Sequence, residues 1–383
     1  MGDPIQSLYI HIPFCRRLCP FCAFAVRKER ATLHAQYLEQ LLLEMVRRIE
    51  QFSDQFRTLH SIYIGGGTPS CLSLEEVRLL LDRVKALFSC SQKTEISFEV
   101  NPEDAVENYI QGLAQLGITR ISLGIQSFQE PVLRILNRNH TAIHVLEALD
   151  ALETSSIANY NLDLMFGIPG QSMVLFQNDV KQLFHYHPSH ISLYGLDIEP
   201  NTPFARQPKM VSGIMQSRDL SHAMYLWAVN YLQSREVSQY EVSNFAKKGS
   251  RSRSNLSVWS GKPYLGFGTG AHSYIPNQRW ANHRSLRQYQ AALDKPEWPV
   301  AFLENLSPIQ QANEKLMLGL RQVSGFSINC WQEKFDLDWP AKNQERVEQF
   351  CSQGYMDWNP PVVSLLPRGM LLADEITEQL MLS

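Results

Sequence analysis

Six strand-like segments alternate with helical ones between residues 8 and 194, and each strand ends in a polar or glycine-bearing loop. Beyond Pro200 the pattern loosens and closes in a helix-rich C-terminal segment. These observations predict an α/β chain: a partial (β/α)6, TIM-like barrel with right-handed crossovers, carrying a small α+β, winged-helix-like module. Six βα units are two short of a closed eight-stranded barrel. The loops with chemistry all fall at one end, the C-terminal rim where such barrels place their sites. Turn signals alone would have been divided between the two rims.

In chain order, a strand over 8–12 runs into Pro13 and a loop holding Cys15, Cys19 and Cys22. A helix over 32–52 follows, with Leu38, Leu41, Leu42, Met45, Val46 and Ile49 as its core face. The strand at 61–64 ends in Gly65-Gly66-Gly67-Thr68-Pro69, and Ser73 with Glu76 forms a capping box for a helix to 88. The remaining strands are 94–100, 120–124, 160–165 and 190–194, separated by helices at 103–116, 130–136, 142–152 and 174–185. A helix over 215–234 and a strand over 240–243 come next, then the glycine- and serine-dense stretch 250–273 and a proline-bounded join at 296–308. The C-terminal module reads as helices at 308–323, 329–335 and 347–353 with a strand pair at 362–366 and 370–373. The expected units are 1–235, the barrel; 236–305, an irregular extension packed on it; and 306–383, a cap.

Composition narrows the function. Of 383 residues 44% are hydrophobic and 19% charged, as in ordinary globular enzymes, and a net charge of −3 gives no reason to expect nucleic acid or an acidic membrane. The C-terminal module lacks a basic recognition helix, so no nucleic-acid partner is expected. The start MGDPIQS has no signal-peptide character and no window suits a membrane span. Seven cysteines, three clustered and four scattered (Cys71, Cys90, Cys330, Cys351), do not read as a secreted disulfide framework; the cytoplasm is expected.

The spacing CxxxCxxC differs from the paired CxxC of tetrahedral zinc sites. Three thiolates so placed suit three irons of a [4Fe-4S] cube, leaving the fourth iron open. Structural zinc and unrelated buried thiols are the alternatives. His11, between apolar neighbours on the first strand, is expected to be a core or supporting histidine.

The stretch YIHIPFCxxxCPFC resembles the signature of the radical S-adenosylmethionine (SAM) family, in the branch of oxygen-independent coproporphyrinogen III oxidases and heme chaperones. The resemblance implies that SAM chelates the open iron through its amino and carboxylate groups. It also implies an electron donor, whose electron the cluster passes to the sulfonium, and a C-terminal module that caps the barrel. Carried onto this chain, the SAM contacts are Tyr9, Phe21, Gly66, Gly67, Thr68, Glu99, Gln126, Arg138 and Asp163. The glycines permit close backbone approach, Glu99, Asp163 and Gln126 are suited to ribose hydroxyls, and Arg138 to the methionyl carboxylate.

Two departures sharpen the reading. The oxidases carry a fourth cysteine where this chain has Phe24, and an extension before the strand-one tyrosine, where only eight residues precede Tyr9. Porphyrinogen decarboxylation is therefore not expected. The chaperones carry HNxxYW, associated with heme, where this chain reads Ser254-Asn255-Leu256-Ser257-Val258-Trp259, and Ala23 replaces an aspartate. The expected function is a [4Fe-4S]- and SAM-binding protein of the heme chaperone type, passing heme to an accepting protein. Native heme binding is expected to be weak or absent, since serine and valine do not ligate iron as histidine or tyrosine do. The alternative is a diverged radical SAM oxidoreductase acting on a small substrate.

Overall fold

The computed structural model describes residues 3–382. Its centre is a run of parallel strands hydrogen-bonded in chain order: β1 (Ile5–Ile12), β2 (Phe56–Gly66), β3 (Glu95–Val100), β4 (Arg120–Gln126), β5 (Tyr160–Phe166) and β6 (His190–Gly195). Registers such as Tyr9↔Tyr63, Ile64↔Phe98 and Asp163↔Ser192 bring the strand ends to a common rim. Helices α1 (His34–Phe52), α2 (Leu74–Leu87), α3 (Glu107–Gln115), α4 (Glu130–Ile135), α5 (Ala142–Glu153) and α6 (Met173–Leu183) provide the crossovers. Strands flanked on both faces must be apolar. Ile62, Ile64, Phe98, Ile121, Leu123, Leu162 and Leu164 are accordingly buried in one continuous core.

The first helix corrects the sequence reading. Leu38, Leu41 and Met45 are buried as expected, each contributing about 1.5–3 kcal/mol by burial, but Val46 is exposed and Glu44 is buried. Glu44 is tolerated inside because it accepts hydrogen bonds from Gly268 N (2.9 Å), Asn282 Nδ2 (2.7 Å) and the Tyr289 hydroxyl (2.7 Å). Those partners come from the other end of the chain, beyond the reach of a periodicity argument.

Residues 236–305 depart furthest from expectation. They form β7 (Ser238–Gln239), β8 (Asn244–Ala246), α9 (Arg253–Trp259), β9 (Tyr264–Phe267), β10 (His272–Ile275), β11 (Gln278–Asn282), α10 (Leu286–Leu293) and β12 (Val300–Asn305). Strand β8 pairs antiparallel with β6, while β9 pairs parallel with β1, so the twelve-stranded sheet grows at both edges. The expected strand 240–243 is instead the hairpin turn between β7 and β8, where Tyr240 N donates to Asn244 O (3.0 Å). The 296–308 join contains β12. The helix expected over 215–234 is two helices, α7 (Pro208–Gln216) and α8 (Arg218–Gln233), divided at Ser217.

The C-terminal module has α11 (Pro308–Leu320), β13 (Phe326–Ser327), α12 (Ile328–Phe335), α13 (Trp339–Ser352), β14 (Met356–Asn359), β15 (Val362–Leu365), α14 (Pro367–Met370) and α15 (Ala373–Leu380). The expected strand near 362 is the centre of three, its partners β13 and β14 both preceding it in the chain. Residues 370–373 lie at the junction of two helices, because Pro367 starts a helical turn. No helix among the described residues is long and apolar enough to cross a membrane.

Candidate cluster and cofactor site

Strand β1 delivers the chain to Phe14 and Cys15, which bridge in parallel to Arg27 and Lys28 and close residues 16–26 into a compact loop. Arg27 N donates to Pro13 O (2.8 Å), Glu29 N to Cys15 O (2.8 Å), and within the loop Cys22 N donates to Cys19 O (3.2 Å). His11 staples the loop to the sheet. Its ring is buried, with Nδ1 2.9 Å from the Tyr9 hydroxyl and Nε2 2.9 Å from Ala25 O. Burial pulls its pKa down to about 4, as a neutral, structural imidazole requires.

The glycines of β2 meet this loop. Gly67 N donates to Ile12 O (2.8 Å), and a Cβ at Gly67 would stand 2.7 Å from Phe14 O. At Gly66 φ is +113° and a Cβ would strike the His11 ring. The backbones of β2 and the cysteine loop approach closely only because these positions lack side chains.

Around this contact lies a cavity of about 440 Å³. Eleven of the twelve residues singled out in the sequence line it: Cys15, Cys19, Phe21, Cys22, Gly66, Gly67, Thr68, Glu99, Gln126, Arg138 and Asp163. Tyr9 does not. Its ring stacks on Tyr63 at 6.2 Å, and Tyr63, which alternation along β2 could have flagged, takes the lining position. Asn101, Ser122, Tyr194, Asp197 and Glu199 also line the cavity and were not singled out. Each lies at or just beyond a strand end, except Ser122, which points inward within β4.

The polar groups are held firmly. Glu99 accepts from the Tyr63 hydroxyl (2.7 Å) and Gly66 N (3.0 Å), and burial pushes its carboxyl up to about 7. Asp163 accepts from Asn161 Nδ2 (2.7 Å) and Ser122 Oγ (3.3 Å); burial raises its pKa as well. Gln126 sits at φ +63°, where the β4–β5 register shifts. A left-handed glutamine at a cavity wall is the kind of backbone strain found at ligand sites. Arg138 donates Nη2 to Asn101 Oδ1 (2.7 Å) and Gly124 O (3.3 Å), and Nη1 to Cys19 Sγ (3.4 Å). Its Nε is buried with no hydrogen-bond partner.

The donor set fits an iron–sulfur cube better than a single ion. All seven cysteines are free, and among the described residues no three His, Cys, Asp or Glu side chains converge on one metal position. Thiolates serving three different irons need not converge. In the cluster-free chain burial drives the Cys15 thiol up to about 12 and raises Cys22, while Thr68 Oγ1 donates to Cys15 Sγ at 3.5 Å. Any metal held here would have to supply the charge that makes these thiols thiolates.

A partial barrel with this cysteine loop and a cavity at its C-terminal rim defines the radical SAM class. Residues 9–183 match the radical SAM superfamily and residues 306–372 the HemN C-terminal domain. The heme chaperone HemW of Bacillus subtilis (strain 168) is 30% identical over 373 residues, 97% of this chain and 98% of that protein. HemW of Escherichia coli (strain K12) is 34% identical over 273 residues, 71% of each chain. The solved coproporphyrinogen III oxidase (HemN) from Escherichia coli, a radical SAM enzyme, superposes with a TM-score of 0.82 over 99% of this chain and 90% of that one. At 23% identity it shows the shared fold. The chain belongs to the HemW family of radical SAM proteins, and membership implies a [4Fe-4S] cluster and SAM.

Proposed function

We propose that Cys15, Cys19 and Cys22 hold a [4Fe-4S] cluster and that SAM occupies the cavity beside it, in a protein that handles heme as HemW relatives are named for doing. The observation that carries this is the convergence of the three thiols with eight of the nine SAM-contact residues on one cavity. When bound, the cluster supplies an electron to a sulfonium. The chain's own residues position the ligand. Arg138 has an unused buried Nε for a carboxylate, Glu99 and Asp163 present acceptors for hydroxyls, and Gly66–Gly67 leave the backbone open to an amino group. A protein electron donor and a heme-accepting protein are the partners this reading requires, in a reducing compartment such as the cytoplasm.

The second reading, a radical SAM oxidoreductase acting on a small substrate, is favoured by one observation. The stretch matching the chaperones' heme-associated motif forms α9, whose contacts are with strand starts. Ser7 Oγ donates to Ser257 Oγ (2.9 Å), and Arg253 N donates to Glu95 Oε1 (3.0 Å). It lies at the opposite rim from the cysteines.

Anaerobic reconstitution followed by assay of 5'-deoxyadenosine with and without heme, together with heme titration read at the Soret band, tests the proposal. Heme binding with heme-dependent SAM turnover, or binding without turnover, supports chaperone function. SAM cleavage indifferent to heme, in a chain that binds none, supports the oxidoreductase.

A further inference from the structure

The LNRNH stretch does more than supply Arg138. Helix α4 ends in a paired-bond C-terminal turn, with Asn137 N donating to Arg134 O (3.1 Å) and Arg138 N to Leu133 O (3.0 Å). Asn137 takes the left-handed position at φ +53°. Glycine is the usual occupant of that position and asparagine the next choice. Here the asparagine amide has a use, since its Nδ2 donates to Leu18 O (3.2 Å), within the cysteine loop. The next residue is clasped from the same loop, Arg17 Nη1 donating to Arg138 O (3.1 Å). Two residues on, His140 is buried, with Nε2 3.1 Å from Ile125 O and Nδ1 3.3 Å from Glu103 Oε2. Ile125 precedes the strained Gln126, so the imidazole braces the peptide that sets the glutamine's direction.

The 137–140 turn therefore touches three parts of the site at once. It reaches the cysteine loop at Leu18, Arg17 and Cys19, the β3 end at Asn101, and the β4 end at Gly124 and Ile125. We propose that Asn137 and His140 are positioning residues that couple the cluster loop to the SAM cavity, so that a carboxylate captured by Arg138 is registered at the Leu18–Cys19 peptide. This deepens the reading above and rests on it for the identity of the ligand. Neither residue lines the cavity, so neither contacts the ligand directly.

Asn137→Gly is the informative change, because glycine accepts the left-handed backbone and deletes only the amide. Two measurements decide. In cluster-free protein, amide hydrogen exchange should quicken across residues 16–22 by about fivefold, the worth of one ordinary hydrogen bond, with the rest of the barrel unchanged. In reconstituted protein, iron content should match the parent, while the SAM concentration needed for half of the EPR change should rise by a similar factor of about five. His140→Gln, which keeps a donor for Ile125 O, should be milder than His140→Phe in the same EPR titration. Unchanged exchange in the loop of Asn137→Gly overturns the clasp, even if the parent forms no cluster and the functional reading fails. A parent that responds to SAM and an Asn137→Gly protein that responds identically overturns the coupling while leaving the functional reading intact.

Discussion

Replacing Gly66 by alanine gives the sharpest test of how the cluster loop is held. The new Cβ would lie 2.4 Å from His11 Nδ1 and 2.5 Å from Cε1, at a backbone φ of +113°. The imidazole has nowhere to go, since Tyr9 hydroxyl and Ala25 O hold its two nitrogens at 2.9 Å each and the ring is 3% exposed. Backbone strain at positive φ costs about 1–2 kcal/mol, and overpacking a closed core site adds about 1–3 kcal/mol. The expected loss is about 2–5 kcal/mol, against a total stability of about 5–15 kcal/mol for a folded domain. Gly249→Ala is the control: φ is +88° there, with no atom within 4 Å of an added Cβ, so it reports strain alone. Urea unfolding of cluster-free protein measures both. The double variant Gly66→Ala with His11→Ala should recover part of the loss, a coupling of about 1–3 kcal/mol. Equal destabilisation by Gly66→Ala and Gly249→Ala, with additive behaviour in the double variant, would refute the stapled-loop argument.

Three further outcomes are expected. Alanine at Cys15, Cys19 or Cys22 should abolish a reconstituted cluster of about four irons, whereas Cys330→Ala should leave it intact, as iron and sulfide analysis will show. Asp163→Ala should weaken SAM by about 1–3 kcal/mol if its carboxylate takes buried hydroxyls; unchanged affinity in equilibrium binding removes it from the site. Glu241 is buried, with Oε1 unpartnered, and burial raises its pKa from 4.5 to about 7. The native state then binds more protons than the unfolded chain between those values, so stability falls as pH rises through that window. Glu241→Gln should flatten that fall, by an amount on the order of 3 kcal/mol at pH 8 relative to pH 4, measured by urea unfolding across the range.

Much of the site was legible because its chemistry is local in sequence. Gly66, Gly67, Thr68, Glu99 and Gln126 stand at or near strand ends, beside glycine, proline or polar punctuation that survives without tertiary information. What escaped depends on distant partners. Tyr264–Phe267 contains Gly266, is followed by Gly268 and reads as loop, yet it pairs with β1 at Ser7↔Tyr264, a contact across most of the chain. Gly266 and Gly268 are not loosening that segment: a Cβ at the first would meet His272 O at 2.1 Å, and at the second His11 O at 2.7 Å. Glu44 escaped for the same reason, since a buried carboxylate becomes legible only once Gly268, Asn282 and Tyr289 are known to face it. Tyr9 was placed in the cavity by resemblance, and local geometry moved it behind Tyr63.

The position of α9 bears on how heme and SAM could communicate. Ser254 is buried near Glu95, whose Oε1 also takes the Arg253 N–H, while Val258 faces outward, 38% exposed. Positions 254 and 258 share one side of the helix, being four residues apart, but they divide between barrel floor and surface. Trp259 O accepts from Gln322 Nε2 (2.9 Å) and Ser260 O from Lys315 Nζ (2.8 Å), so the end of α9 is anchored by α11 and the turn that follows it. A histidine at 254 would therefore be held inside the floor, and an iron ligand there would need α9 or the C-terminal module to shift. Heme bound at this face would stand at the strand starts, with SAM at the strand ends. Heme dependence of SAM cleavage would then require coupling between the two rims of the barrel. Restoring Ser254→His with Val258→Tyr distinguishes the cases: a stronger Soret band with unaltered SAM chemistry means two independent sites on one barrel, and altered SAM chemistry means that its two rims are coupled.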